Sequence, residues 1–290
     1  MKNKNKKLNI MSNLFILTVP EHIPMGLLAV ILGFFFSNPL FIRFDLVFGL
    51  ISAVFIIGGY NSFNAVFDIE VDKINKPHRP IPKGVISTTD ALIASFIFFV
   101  AALLFGYLVN IYFLYIVIFM EILAICYSIP RINLKRRFIL GTISASLFYT
   151  ILMPLLGWSI NYLAPPPIIL IIYLFLVGTA LSVLKDFEDI IGDSMHNVKT
   201  LPLHLGYSKT LVFSSALIAI SALFLELTIF LHRFSSIYIP IPLITIFGLI
   251  VMNSIRKNRS YNYWRYNAQR GMFVLIGVEV VLLILKIMSV

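Results

Sequence analysis

The sequence predicts an all-α, polytopic membrane protein with nine transmembrane helices around a central cavity. Of its 290 residues, 59% are hydrophobic and only 12% are charged. An ordinary soluble domain is about 45–50% apolar and about 25% charged. In addition, nine apolar runs approach the roughly 20 residues that span a bilayer core. They lie at residues 13-36, 43-66, 91-109, 112-128, 138-158, 167-185, 210-231, 236-254 and 271-288.

The basic residues predict the orientation of these spans, because cytoplasmic loops are enriched in Lys and Arg. All but three of the 23 Lys and Arg residues precede the first span or follow an even-numbered one; the exceptions are Arg43, Arg233 and Lys286. The N-terminus is therefore expected in the cytoplasm and the C-terminus outside. The net charge of +10 then reflects topology and attraction to anionic lipid headgroups. This positive charge does not indicate a nucleic-acid partner, because the sequence predicts no soluble domain that would bind nucleic acid.

Three further features bear on the spans. The first apolar run is too long for a cleaved secretory signal, and no small-x-small cleavage site ends it. Only Asn110 and its neighbours separate the third and fourth spans. The single cysteine, Cys126, excludes an internal disulfide framework and is expected to fill the helical core.

The loops after the even-numbered spans alternate between acidic-plus-basic and purely basic composition. This alternation suggests one transmembrane domain over 1-290, built from a repeat at 13-137 and 138-270 with a last helix at 271-288, although no residue-by-residue repeat supports it. Two acidic loops would then face each other across one cavity, as in other membrane proteins built from repeats.

Two acidic sets lie at the cytoplasmic ends of predicted spans. Within each set the side chains recur at helical spacing, and on a helix they would cover arcs of about 80° and about 60°. Carboxylates at this density repel one another unless a cation lies between them, and all-oxygen ligands suit Mg²⁺. The predicted metal ligands are Asn64, Asp68 and Asp72, and Asp186, Asp189 and Asp193.

A solvated helix end is the alternative explanation for these acids. Their regular spacing and their recurrence in the second half favour a site instead, because ionisable groups at membrane depth usually mark one. Glu70 and Glu188 lie outside the helical arcs that the two acidic sets cover, and they are expected to be surface charges.

Basic residues interleave with the acids. A site for cations alone has no use for them, whereas a Mg²⁺-diphosphate site needs carboxylates for the metal and Lys or Arg for the phosphate oxygens. The sequence therefore predicts a phosphorylated ligand. These residues are Lys73, Lys76 and Arg79 beside the first set, and Lys185 and Lys199 beside the second.

Three segments resemble signatures of the UbiA superfamily of intramembrane prenyltransferases, and the resemblance covers the whole chain in number of spans and order of loops. The segments are Asn64-x-x-x-Asp68-x-x-x-Asp72 with Asn75-Lys76-Pro77-His78-Arg79-Pro80, Tyr127-Ser128-x-Pro130-Arg131-x-x-Leu134-Lys135, and Lys185-Asp186-Phe187-Glu188-Asp189-Ile190-Ile191-Gly192-Asp193 with Lys199-Thr200-Leu201-Pro202. Two departures stand out. Arg131 replaces the Lys of the family's Tyr-x-x-x-Lys segment, and Val19-Pro20-Glu21-His22 stands where relatives often have Arg-Pro-x-Asn.

The resemblance implies transfer of a prenyl group from an allylic diphosphate, with two Mg²⁺ ions between the acidic sets and the diphosphate. It assigns catalytic roles to Asp68, Asp72, Asp189, Asp193, Tyr127 and Arg131. It assigns substrate binding to Lys73, Arg79, Lys185, Lys199 and, toward the acceptor, His22.

Within the superfamily, the second signature is most similar to archaeal digeranylgeranylglyceryl phosphate synthases. That similarity implies transfer of geranylgeranyl from its diphosphate to geranylgeranylglyceryl phosphate, an anionic lipid suited to Lys135, Arg136 and Arg137. An aromatic acceptor such as 4-hydroxybenzoate or naphthoate is the alternative. A cation-coupled transporter is the alternative of another class, and it would more often carry acids at mid-membrane.

The sequence also predicts contact with membrane lipids and shows no obligate protein partner. It leaves three acids in predicted spans without a role: Glu121, Glu226 and Glu279.

Overall fold

The computed structural model describes residues 12–37, 44–162, 165–166, 168–187 and 189–231, and these ranges are predominantly helical. Within them the only β pairing is an isolated bridge between Arg137 and Lys199. After a helical stretch at 12–17, the helices are α1 Ile23–Phe36, α2 Phe44–Phe67, α3 Ile69–Asn75, α4 Thr88–Val109, α5 Ile111–Ser128, α6 Ile139–Ser159, α7 Ile168–Lys185, α8 Ile190–Met195, α9 Leu201–Leu205 and α10 Tyr207–Leu231.

Six of these helices, α2, α4, α5, α6, α7 and α10, are long and apolar enough to cross a membrane. They match the predicted spans from 43-66 to 210-231, which are thereby confirmed as helices. The predicted spans 236-254 and 271-288 lie outside the described residues. The chain is an integral membrane protein.

The first predicted span is wrong as one continuous helix. The helical stretch at 12–17 ends before Val19, whose φ of 54° is left-handed, and a short 3₁₀ turn at Pro20–His22 leads into α1. Pro20 has no N–H to continue the helix and restricts the residue before it. The carbonyl of Thr18, freed by the break, accepts a hydrogen bond from Asn61 Nδ2 at 3.0 Å. The break thus fixes this segment to α2.

Asn110 separates α4 from α5, as the sequence predicts. Its backbone is extended, and its Oδ1 accepts from the N–H of Phe113 at 2.9 Å. Its Nδ2 donates to the carbonyl of Ser159 at 2.8 Å, near the end of α6. One side chain therefore caps α5 and ties it to another helix.

Helix α6 contains a π-helical segment, Leu147–Leu152. Such segments shift the helical register and are frequent at functional sites. Here Tyr149 Oη lies 3.3 Å from Nδ1 of His22, the last residue of the 3₁₀ turn that precedes α1.

Helices α1 and α6 touch backbone to backbone. A Cβ built on Gly33 would lie 1.8 Å from the carbonyl oxygen of Pro154, and one on Gly157 would lie 1.8 Å from that of Val30. Small residues at facing positions permit this approach in membrane helices.

Helix α1 also joins two apolar cores. Val30 and Phe34 pack into the core formed with α2, α4, α5 and α6. Leu32 packs into the core formed with α7 and α10, around Tyr173 and Ile218.

Candidate active site

The two acidic sets occupy matching helix breaks. Helix α2 ends at Phe67, and Asp68, with φ −98° and ψ 8°, begins α3. After α7, Asp189, with φ −99° and ψ 0°, begins α8 in the same way. In each case the carbonyl of the first aspartate accepts from the N–H of the aspartate four residues on, Asp72 at 2.8 Å and Asp193 at 2.9 Å. The helix is thus interrupted within each acidic set, although the four-residue spacing is kept.

Helices α3 and α8 bring the two sets together. Asn75, at the end of α3, exchanges two hydrogen bonds of 2.8 Å with the backbone of Asp189 and Gly192. The next residue, Lys76, donates from Nζ to Asp189 Oδ2 at 2.7 Å. The structure thus places acids from both halves of the chain in one cluster.

Basic side chains pair with these carboxylates. Lys135 contacts Asp68 Oδ2, and Arg79 Nη1 lies 2.8 Å from Asp72 Oδ2. Asp68 and Asp72 are both buried. Charge-assisted hydrogen bonds of this kind are roughly twice as strong as neutral ones, so they hold both signs of charge in fixed positions.

The pKa values of the three acids of the second set are shifted in different directions. Burial, then the charges of Asp193 and Asp189, raises the pKa of Asp186 to about 7. Burial is also the main cause that raises the pKa of Asp193 to about 6. Burial opposes ionisation of Asp189 too, but Lys76 and the other nearby lysines outweigh burial and lower its pKa. An additional cation would favour the ionised form of the first two.

Lys135, like Asp189, keeps its charge despite burial. Burial disfavours its charge, but the adjoining Asp68 carboxylate outweighs burial, and its pKa lies above the usual range. Lys135 therefore stays an ammonium group inside the cluster.

The donor set fits Mg²⁺ in its chemistry. Asp189 Oδ1 and Asp193 Oδ1 are buried without a hydrogen-bond partner, which is costly unless a cation or donor satisfies them. Asn64 donates its amide N–H to Ser128 Oγ at 3.4 Å, so its carbonyl oxygen is not used in that bond. Within the described ranges no three acidic, His or Cys side chains already converge on one point, and Asp68, Asp72 and Asp189 each contact a basic group.

Aromatic rings lie beside the cluster. Tyr60 packs against Tyr127 at 5.5 Å between ring centroids, against Phe148 at 4.4 Å and against Tyr149 at 5.8 Å. The negative charges of Asp68, Asp186 and Asp189 also act electrostatically on the Tyr127 hydroxyl. The predicted Tyr127 therefore belongs to an aromatic wall that the sequence did not indicate.

His22 lies at one edge of this wall. Its ring meets that of Tyr149 edge to face at 5.5 Å between centroids. It is within range of the charges of Lys185, Arg79 and Lys76.

Three predicted cations lie elsewhere. Lys73 pairs with Glu70 at 2.7 Å on the surface, where their side chains are 52% and 66% exposed. Arg131 and Lys199 are exposed, and Lys199 contacts Arg137 through the backbone. Glu70 is thus the surface charge that the sequence predicts, whereas Glu188 lies outside the described residues.

The remaining acids stay apart from the cluster. Glu121 is half-buried on α5 with an unpartnered Oε1, and Glu226 is exposed on α10. Glu279 lies outside the part of the chain that the structure describes. Cys126 is free and half-buried.

Lys135 is the cation that reaches the cluster from the loop after α5, where the resemblance implied a role for Arg131. We expect Lys135→Met to lower the rate of the prenyl transfer that the resemblance implies on the order of 10–100-fold, as loss of a group that supports a metal ligand does. Arg131→Met should leave it nearly unchanged. Steady-state rates of both purified variants check this, and equal losses would contradict the placement.

Comparison with known proteins agrees with this geometry. Residues 26–275 match the UbiA prenyltransferase family. Digeranylgeranylglyceryl phosphate synthase of Saccharolobus solfataricus is 31% identical over 240 residues, covering 79% of this chain and 81% of the relative. The synthase of Methanothermobacter thermautotrophicus is 34% identical over 206 residues, covering 70% and 72%.

Solved structures share the fold. A UbiA homologue from Archaeoglobus fulgidus, bound to DMAPP and Mg²⁺, has a TM-score of 0.77 at 21% identity and covers 96% of this chain and 99% of its own. The same homologue is also known with GPP and Mg²⁺. Fold and site together define a membrane-embedded prenyltransferase. The chain belongs to the UbiA prenyltransferase family.

Proposed function

We propose that this chain transfers a geranylgeranyl group from geranylgeranyl diphosphate to the free hydroxyl of geranylgeranylglyceryl phosphate, with Mg²⁺ as cofactor. One observation carries the proposal: Asp68, Asp72 and Asp189 lie in a single cluster in which each pairs with a half-buried cation, and Asp193 lies four residues after Asp189. The names of the relatives support the choice of both lipids. Membership of a prenyltransferase family favours an enzyme over a cation-coupled transporter.

Mg²⁺ would be held by the six oxygen-bearing side chains, where it neutralises charge on the diphosphate. Those side chains are Asn64, Asp68, Asp72, Asp186, Asp189 and Asp193.

Four cations near the acids suit the leaving diphosphate. Lys76, Arg79, Lys135 and Lys185 can donate to its oxygens as the bond from C1 to oxygen breaks, which is electrostatic stabilisation of a leaving group. A new ether bond then forms between C1 and the acceptor oxygen, and the proton of the hydroxyl passes to the released diphosphate. The predicted roles of Lys73, Arg131 and Lys199 have no such geometric support.

The aromatic wall suits the other end of the reacting bond. Positive charge that develops at C1 is attracted to the faces of Tyr60, Tyr127 and Tyr149. The apolar surroundings of these rings limit the access of water, which would otherwise capture the carbon.

The proposal includes the membrane topology: nine spans, a cytoplasmic N-terminus, an external C-terminus and a site that opens to the cytoplasm. The distribution of Lys and Arg supports it. Labelling of single cysteines introduced at Lys83 and at Tyr162, from each side of sealed vesicles, tests it. Both labelled from one side would contradict it.

Purified protein incubated with geranylgeranyl diphosphate, Mg²⁺ and a panel of acceptors tests the reaction. Mass spectrometry should detect the ether product from geranylgeranylglyceryl phosphate, none with EDTA, and its return with added Mg²⁺. A product formed only with 4-hydroxybenzoate or naphthoate would establish the aromatic alternative, and product formation in EDTA would contradict the use of Mg²⁺.

The charge of the acceptor gives a further prediction. Arg136 and Arg137 are exposed and form no ion pair among the described residues, so they are available to a phosphate. Replacing both with Gln should raise KM for geranylgeranylglyceryl phosphate about tenfold or more, since hydrogen bonds to charged groups contribute about 1.5–3 kcal/mol. KM for geranylgeranyl diphosphate should stay unchanged. Equal changes in both values would contradict a role in acceptor recognition.

A further inference from the structure

We infer that Asn75 is a positioning residue that caps helix α8 from the opposite half of the chain and so leaves the carboxylate of Asp189 available as a ligand. The inference rests on the proposed function, because it concerns how one proposed metal ligand is held. It begins with an unusual helix start. Asp189 is the N-cap residue of α8, yet its side chain makes no capping hydrogen bond.

An aspartate at this position ordinarily accepts from the N–H two or three residues into the helix. The third such residue in α8 is Gly192, and its N–H donates to Asn75 Oδ1 at 2.8 Å instead. Asn75 Nδ2 donates to the carbonyl of Asp189 at 2.8 Å. One amide side chain thus satisfies the backbone on both sides of the first turn.

The carboxylate of Asp189, which makes no capping hydrogen bond, faces the acidic cluster instead. Asp189 Oδ2 contacts Lys76 at 2.7 Å, while Oδ1 is buried without a partner. Because Asn75 and Lys76 are neighbours in sequence, the same short stretch fixes both the backbone and the side chain of Asp189. Asp72 lies only three residues before Asn75, so the distance between the two acidic sets is set through this contact.

The lack of a side chain at Gly192 leaves room for the side chain of Asn75. A Cβ built there would lie 2.6 Å from Asn75 Nδ2 and 2.7 Å from both Cγ and Oδ1 of the same side chain. No other residue supplies its nearest atoms. Gly192 is therefore required by the volume of Asn75, and the two positions should depend on each other.

The first test replaces Asn75. In Asn75→Ala the N–H of Gly192 loses its acceptor, and Asp189 can rotate to cap its own helix, which competes with metal binding. We expect the Mg²⁺ concentration for half-maximal activity to rise on the order of 10–100-fold, as for loss of a group that orients a ligand. Asn75→Asp keeps an acceptor for Gly192 but loses the donor to Asp189, so it should fall between wild type and Asn75→Ala.

A purely structural role would give a different result. It would lower the thermal unfolding midpoint while the remaining activity kept the wild-type dependence on Mg²⁺, and this outcome would overturn the inference. Ser194→Ala is the matched control, because that hydroxyl bonds only to the carbonyl of Ile191 within the same short helix. It should change neither quantity.

The second test is a double-mutant cycle. Gly192→Ala alone should reduce activity because its methyl overlaps Asn75. The pair Gly192→Ala with Asn75→Ala should retain the activity of Asn75→Ala alone, since the overlap is gone, and this departure from additivity measures the contact. Multiplicative losses in the pair would overturn the inference.

The same cycle is read without turnover by the thermal shift that Mg²⁺ and geranylgeranyl diphosphate produce together. If wild type shows this shift but no product with any acceptor, the proposed reaction fails while the role of Asn75 is still decided. If the shift of Asn75→Ala matches that of wild type at every Mg²⁺ concentration, the role of Asn75 fails while the reaction stands.

Discussion

Asp189→Asn should abolish measurable prenyl transfer while the protein stays folded in the membrane. The substitution keeps the shape of the side chain but removes the charge that faces Lys76 and, in the proposed site, Mg²⁺. Loss of one preorganised group that stabilises developing charge costs on the order of 10²–10³ in turnover, and a metal ligand should reach at least that. Product formation by mass spectrometry and the thermal unfolding midpoint are the two measurements.

Glu70→Gln is the matched control for this change. Glu70 is two residues from Asp68 in sequence, but its side chain is exposed and pairs with Lys73 outside the cluster. Exposed pairs contribute about 0–1 kcal/mol to stability, so both activity and stability should be retained. Wild-type turnover in Asp189→Asn would overturn the assignment of the metal ligands.

Gly157→Ala should have the largest effect on stability. Its methyl would lie 1.8 Å from the carbonyl oxygen of Val30, which is backbone and cannot rotate away. Overpacking of a well-packed interior costs about 1–3 kcal/mol and occasionally more, and separation of α1 from α6 would also disturb both cores that α1 joins. We expect a clear fall in the thermal unfolding midpoint and in the yield of folded protein in detergent.

Gly33→Ala should behave alike, because its methyl would meet the carbonyl oxygen of Pro154 at the same distance. Gly106→Ala is the control. Its nearest neighbours are side-chain atoms of Val117 and Phe113 at 3.3 Å or more, which can move. If Gly157→Ala and Gly106→Ala lower the unfolding midpoint equally, the backbone contact between α1 and α6 is not essential.

The acids were predictable from sequence because their spacing survives the helix breaks. Asp68 alone separates α2 from α3, and residues 186–189 separate α7 from α8, but the carbonyls of Asp68 and Asp189 still accept from the residue four positions on. A pattern count does not detect interruptions that keep this spacing. The contact between Asn75 and Gly192 was not predictable, since it joins side chain and backbone across more than half of the described chain.

The positions of the basic residues depend on the fold. The resemblance placed Arg131 at the Lys of the family's Tyr-x-x-x-Lys segment, but α5 ends at Ser128 and Pro130 follows it. Beyond that point the chain turns through a short 3₁₀ segment, and Lys135 rather than Arg131 points to Asp68. The resemblance contains both cations but does not give the path of the chain after the helix ends, so the fold was needed to show which of them reaches Asp68.

The glycines of α1 and α6 show a similar limit. Gly33 and Gly157 are unremarkable in apolar sequence, and their importance depends on which helix lies opposite. The sequence predicts both helices but not their partnership.

The place of α1 between two cores also bears on the order of assembly. This helix is synthesised well before α6 and α7, which pack against it. Contacts so distant in sequence form late. Until then only the side of α1 that packs with α2, α4 and α5 has protein partners, and its other side faces lipid. Completion of the bundle must therefore wait for synthesis of the later helices.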